Sequence, residues 1–201
     1  MSMNSKSIAD AIKERRSIRN LKKPENMTKE KIEEILKVAL YTPSAFGMQS
    51  ARMIVVTGDE NKKLWDIAKA EVKKTLPEGQ DFKPTEDKLN GFAAGFGTIL
   101  FFEEDTTVKN MQDNFSLYAD NFPVWAEQAN GMLQHSVWML LHTEGLAASL
   151  QHYNPLIDAS VKKEWNVPST WRLRAQMPFG AADEVPGDRK FLDFSEVVKL
   201  Y

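Results

Sequence analysis

Between Pro123 and Gly145 lies the stretch that most limits the folds open to this chain. It predicts a long helix, about Val124 to Glu144, whose centre from Met132 to Leu141 is apolar on most sides. Trp138, Met139, Leu140 and Leu141 follow one another with no polar residue between them. A helix that is apolar nearly all round is buried, either at a domain centre or in a subunit interface. The rest of the chain must therefore supply a cover for it.

A second helix is legible upstream. Thr28 is a good cap, and Ile32, Ile35, Leu36, Ala39 and Leu40 follow at i, i+3, i+4, i+7 and i+8 until Pro43 stops the pattern. Ile8, Ala9, Ala11 and Ile12 make a shorter helical face. Asp59 is placed to cap a helix carrying Leu64, Ile67, Ala68 and Val72, and a further helix is expected from about Asp158 to Trp165. Met53 to Thr57, Thr98 to Phe102, the small-residue run Leu146 to Leu150, and Trp171 to Gln176 read as strands. Residues 77–91, holding Pro77, Gly79, Pro84 and Gly91, read as a polar loop, as do Met177-Pro178-Phe179-Gly180 and the stretch to Gly187. From Glu103 to Phe122 the pattern is poor and suggests an excursion or lid. Separated strands among long helices give an α+β or mixed α/β class in one domain spanning 1–201.

Composition narrows the function. A net charge of -2 and a pI near 6.0 argue against a general nucleic-acid or anionic-membrane binder. With no cysteine, disulfides, thiolate nucleophiles and cysteine metal sites are excluded. Met1 to Ala11 lacks the apolar core of a signal peptide, and no apolar run reaches the length of a membrane span. The expectation is a soluble, cytoplasmic protein. His135, His142 and His152 form no metal-ligand pattern, and the first two are expected to be satisfied and buried. There is no G-x-S-x-G elbow and no G-K-[ST] phosphate loop. Gly91, Gly95 and Gly97 precede a strand instead of joining strand to helix, so they do not make a dinucleotide fingerprint. Nothing marks out an acid/base pair.

What remains is Arg15-Arg16-Ser17-Ile18-Arg19, three guanidinium groups and a hydroxyl within five residues. Arginine offers a planar fork of donors suited to phosphate and carbonyl oxygens. A solvated charge run at a helix end is the alternative. An anion-binding cluster on a large core without nucleophile, metal or acid/base machinery means a protein that only binds, or one whose cofactor does the chemistry.

A helix ending in this R-R-S-x-R, then an amphipathic helix running into Thr42-Pro43-Ser44 with Gln49, then the strand Arg52-Met53-Ile54-Val55-Val56, resembles the opening of the FMN-dependent nitroreductase family. The long helix, Gly145 to Leu150 entering Gln151-His152-Tyr153, and the late pair Arg189-Lys190 agree with it. Leu150 to Pro155 and Met177 to Gly180 are similar to a compact branch containing fungal fatty-acid-repression-type oxidoreductases and bacterial stress-induced nitroreductases. The resemblance implies a mixed sheet flanked by helices and an intertwined homodimer with the long helix at its centre. One FMN would lie at each end of the interface. It assigns Arg15, Arg16, Ser17 and Arg19 to the phosphate, ribityl chain and pyrimidine edge of the flavin, with Arg189 and Lys190 completing the phosphate clamp. Surface charge is the alternative for that last pair.

The resemblance further implies that Pro43, Ser44 and Ala45 come from the partner subunit and pack on the flavin ring, and that Gln49 also binds the cofactor. Gln151, His152 and Tyr153 would supply backbone N–H groups to the hydride-accepting ring nitrogen and its neighbouring carbonyl. Many relatives carry glutamate and glycine where this chain has His152 and Tyr153. Phe115, Tyr118, Phe122 and Trp125 fall where relatives place substrate-gating aromatics, and could stack on a planar acceptor or form a plug under a lid. The implied activity is ping-pong reduction of nitroaromatics, quinones or similar acceptors by NAD(P)H. The alternatives are a flavin-binding regulatory protein with little turnover and a phospholigand-binding domain without flavin.

Overall fold

Alternation along one strand explains the architecture. In β3 (Gly97–Glu104), Ile99 and Phe101 point to one face and Leu100 and Phe102 to the other, and all four are fully buried. A strand apolar on both sides needs helices on both sides. The computed structural model, which describes residues 6–201, supplies them. One face is covered by α2 (Lys29–Ala39) and α6 (Phe122–Thr143), through Ile32, Ile35, Leu133, Val137 and Leu141. The other is covered by α3 (Asp59–Thr75), α4 (Lys83–Ala93) and α7 (Asp158–Glu164), through Leu64, Trp65, Leu89, Phe92 and Val161. Each such side chain contributes about 1.5–3 kcal/mol by leaving water.

The sheet is antiparallel throughout. β2 (Ala51–Thr57) pairs with β3 from Ala51↔Glu103 to Thr57↔Gly97, and β3 pairs with β5 (Trp171–Ala182). Two short strands, β1 (Leu21–Lys22) and β4 (Ala147–Ala148), close the far side of β5. Two further helices flank this frame: α1 (Ile8–Glu14), capped by the Ser7 side chain, and α5 (Asp105–Asn114). A short α8 (Phe194–Val197) lies near the end of the chain. The α+β class is as expected, and Thr28 caps α2 by accepting from Lys31 N–H at 3.3 Å. None of the described helices is long and apolar enough to cross a membrane.

Several expectations need correction. Residues 77–91 are not all loop: α4 begins at Lys83, because Pro84 sits in the first turn, where its missing N–H costs nothing. Gly91 lies inside α4 because a Cβ there would meet Arg19 O and Asn20 Oδ1 at 2.9 Å. α3 starts behind Gly58, at φ 58°, and Asp59 is in its first turn instead of capping it. Residues 103–122 are the end of β3, α5, a 3-10 turn at Ser116–Tyr118 and the start of α6; Glu103 and Phe122 are fully buried. His135 is exposed, and His142 is half-buried with Nε2 making no hydrogen bond, so neither is a satisfied core histidine. Finally, β5 continues through Met177-Pro178-Phe179-Gly180 to Ala182.

Pro178 explains why that last strand was hard to see. Residues 147, 148 and 151 pair with 180, 179 and 176 in one continuous register. In it Ser149 falls opposite Pro178. Ser149 N–H donates to Pro178 O at 3.3 Å, but the ring nitrogen has no proton to return, and the ladder is interrupted there.

Candidate cofactor site

The arginine segment leaves the end of α1 and is held on three sides. Arg15 caps that helix, its N–H donating to Ala11 O, and its guanidinium lies 4.4 Å over the Trp138 ring of α6. Ser17 bridges Ala148 in parallel, and Ile18 N–H donates to Ala148 O at 3.0 Å. Glu184 accepts from Arg19 N–H at 2.5 Å and from Asn20 Nδ2 at 3.0 Å. Close packing of Gly91 against Arg19 O ties the same segment to α4.

Three guanidinium groups converge here. Arg16 donates to Gly187 O, and Arg189 reaches Ile12 O at 3.5 Å while its Nη2 is buried without a partner. Burial first, then the charges of Arg189 and Arg16, push the Arg15 guanidinium below its ordinary value. Among the described residues no carboxylate forms an ion pair with Arg15, Arg16 or Arg189. Glu14, the nearest acid in sequence, pairs with Lys6 at 2.5 Å. Beside the segment is a cavity of about 330 Å³ lined by Arg15, Arg16, Trp138 and His142, with Lys6, Glu14 and Glu184 also on its wall. The Arg19 and Lys190 side chains are exposed. Convergent, partly buried guanidinium groups that make no ion pair are a place for a multiply charged anion.

β4 carries the chain from this cluster to the next group. Beyond Ala148 the segment runs into Gln151-His152-Tyr153, where Gln151 exchanges both backbone hydrogen bonds with Gln176, at 2.7 and 2.9 Å. Tyr153 N–H donates to Gln176 Oε1 at 2.7 Å. Of the three N–H groups, the His152 one alone has no acceptor among the described residues. The structure thus aligns Arg15, Arg16, Ser17, Arg189 and the 151–153 loop along one edge.

The second set of candidates lies apart in the same chain. Pro43, Ser44 and Gln49 line a cavity of about 410 Å³ with Ala129 and Leu133 of α6 and the face of β2. Ser44 Oγ accepts from Gln49 N–H at 3.0 Å, and Arg52 Nη1 donates to Gln49 O at 2.7 Å. The loop is strained: Phe46, Gly47 and Gln49 all have positive φ, at 54°, 62° and 48°. Phe46 was not among the candidates. Its ring is the hub of the aromatic group, 5.0 Å from Phe115, 5.4 Å from Phe122, 5.8 Å from Tyr118 and stacked at 5.9 Å on Trp125. Large apolar side chains in a stretch of loop composition were the signal for it. Gln176, fully buried, was also missed, and nothing in its strand pattern marks it.

Comparison with known proteins adds the lineage. The sequence pattern of the nitroreductase family matches residues 12–181. The Saccharomyces cerevisiae protein HBN1 is 32% identical over 183 residues, 89% of each chain. The nitroreductase FRM2 of the same yeast is 29% identical over 195 residues, 96% of this chain and 95% of that one. Among solved structures, nitroreductase CinD from Lactococcus lactis in complex with nicotinic acid superposes with a TM-score of 0.89 at 44% identity, over 97% of this chain and 100% of that one. Its complex with 4-nitrophenol gives a TM-score of 0.86 at 43% identity, with the same coverage.

Proposed function

The chain belongs to the nitroreductase family of oxidoreductases, and from that premise we propose that it is an FMN-dependent NAD(P)H oxidoreductase reducing nitroaromatics, quinones or similar planar acceptors as a homodimer. The observation that carries this reading is the unneutralised set Arg15, Arg16 and Arg189, with one buried guanidinium nitrogen lacking a partner. These residues fit a flavin mononucleotide phosphate, because a phosphate presents several acceptor oxygens to converging forks of donors. Bound there, FMN would supply the two-electron redox chemistry between a nicotinamide donor and the acceptor.

The chain's own residues bind and orient. Arg15 and Arg189 hold the phosphate, and Arg16 adds the third charge. Arg19, exposed and with no side-chain partner among the described residues, is free to reach the pyrimidine edge and stabilise negative charge there. His152 N–H donates to the ring. No side-chain acid is needed, which agrees with the absence of a recognisable acid/base pair. Pro43, Ser44, Ala45 and Gln49 do not line the 330 Å³ cavity of their own chain, three of them lining a separate cavity instead, and supply the ring contact from the second subunit. CinD's ligands nicotinic acid and 4-nitrophenol are small planar aromatics, which supports an acceptor of that shape.

The test is FMN titration by quenching of flavin fluorescence. Arg15→Ala and Arg189→Ala should each weaken binding by about 10- to 100-fold, the value of a charged hydrogen bond. Unchanged affinity in both would remove the site.

A further inference from the structure

Gln176 is an amide in a place that asks for a hydrocarbon. It sits in the middle of β5 with no exposed surface, opposite Leu100. A buried amide destabilises a core unless its donors and acceptor are used. Here the acceptor and one of the donors are used, and every partner lies in one loop. Its backbone exchanges two hydrogen bonds with Gln151. Its Oε1 accepts from Tyr153 N–H at 2.7 Å, and its Nε2 donates to Asn154 Oδ1 at 3.4 Å. One residue thus holds the positions before, after and next after His152.

The direction of the His152 N–H follows from this. Gln151 C=O is pinned toward β5 by Gln176 N–H. Across a trans peptide bond the N–H points opposite to the preceding C=O. The His152 N–H therefore points away from β5. By the alternation of an extended chain it leaves on the same side as Ala148 C=O, the group that receives Ile18 N–H. The arginine segment and this free donor share one edge, and the two neighbouring N–H groups are consumed on the other.

We propose that Gln176 is a positioning residue for the flavin, fixing residues 151–153 so that, of their three backbone N–H groups, the His152 one alone is left free, aimed at the hydride-accepting ring nitrogen. The proposal rests on the FMN reading above. It carries a chemical consequence. In oxidised flavin that nitrogen would present an in-plane lone pair to the donor; in reduced flavin its own N–H bond would occupy that direction. A well-aimed donor therefore favours the oxidised form, and loosening it raises the midpoint potential.

Two measurements test this. In Gln176→Leu, oxidised FMN should bind about tenfold more weakly while reduced FMN binds nearly as before, which for two electrons is a rise of roughly 30 mV in midpoint potential. Gln176→Glu, which keeps an acceptor for Tyr153 N–H, should restore most of both. A variant that loses thermal stability yet keeps wild-type affinity and potential would make Gln176 a packing residue and overturn the proposal, as would failure of Gln176→Glu to rescue. The second measurement needs no variant. Hydrogen exchange of the wild-type apoprotein should show slow Gln151 and Tyr153 amides and a fast His152 amide that slows at least tenfold when FMN is added. A protected His152 amide in the apoprotein, or one unaffected by bound FMN, would overturn the proposal. Absence of any FMN binding by the wild type would instead remove the flavin reading itself.

Discussion

Two adjacent carboxylates at the end of β3 show how far environment decides chemistry in this protein. Glu103 has no exposed surface; burial pushes its carboxyl up, and the hydrogen bond from Asn130 Nδ2 and the nearby Ser50 hydroxyl only partly oppose that. Glu104 caps α5. Burial pushes it up as well, but hydrogen bonds from Thr107, Thr170 and Thr106 outweigh burial and hold it at about 2. The two have opposite effects on stability. A carboxyl depressed in the folded state stabilises above its unfolded value of 4.5, and that contribution is lost as pH falls from there toward about 2. Glu104→Gln should therefore cost about 1–2 kcal/mol at pH 7, the value of a helix cap. The cost should shrink toward zero near pH 2 when unfolding is followed by urea titration. Glu103 is raised, so its protonated form favours folding, and stability falls as pH rises through its folded value. In Glu103→Gln that slope should be absent. Phe46 offers a separate check on backbone strain. At φ 54° a side chain costs roughly 1–2 kcal/mol relative to glycine, so Phe46→Gly should be more stable than Phe46→Ala by about that amount.

At the scale of elements, what the sequence revealed depended on whether local chemistry agreed with tertiary packing. α2 and α6 were legible because apolar spacing, caps and breakers point the same way: Thr28 caps one, Pro123 opens the other and Gly145, at φ 77°, ends it. α4 was hidden because Pro84 and Gly91 signal a break locally, while the first-turn position and the contact with Arg19 and Asn20 make both acceptable. β5 was cut short at Gln176 because Pro178 denies the ladder one donor, yet its neighbours carry the pairing on both sides. β1 is too short to leave a pattern. The arginine cluster could be read directly, since guanidinium density is a local property. The partners of Gln176 could not, because a loop 25 to 22 residues upstream has no period linking it to β5. Phe46 was hidden likewise: its value lies in four rings 69 to 79 residues away.

At the scale of the whole molecule, the single chain leaves apolar surface that the sequence assigns to burial. α6 was expected to be covered all round, but one stripe packs on the sheet while Val124 and Met132 are exposed. Along the C-terminal segment, Phe191, Leu192, Phe194, Leu200 and Tyr201 are exposed as well. The proposed homodimer would account for both, and light scattering of the purified protein should then give twice the 22.9 kDa chain mass. It also unites the two halves of the proposed site, with the arginine edge from one subunit and the Pro43–Gln49 loop from the other. The most direct test of the account is the visible spectrum of the FMN-loaded protein under anaerobic conditions, before and after NADH or NADPH and then a nitroaromatic or quinone. The flavin bands should bleach with the nicotinamide and return with the acceptor. Bands that persist would contradict catalysis and leave a flavin-binding regulatory protein; failure to retain any flavin would contradict the site itself.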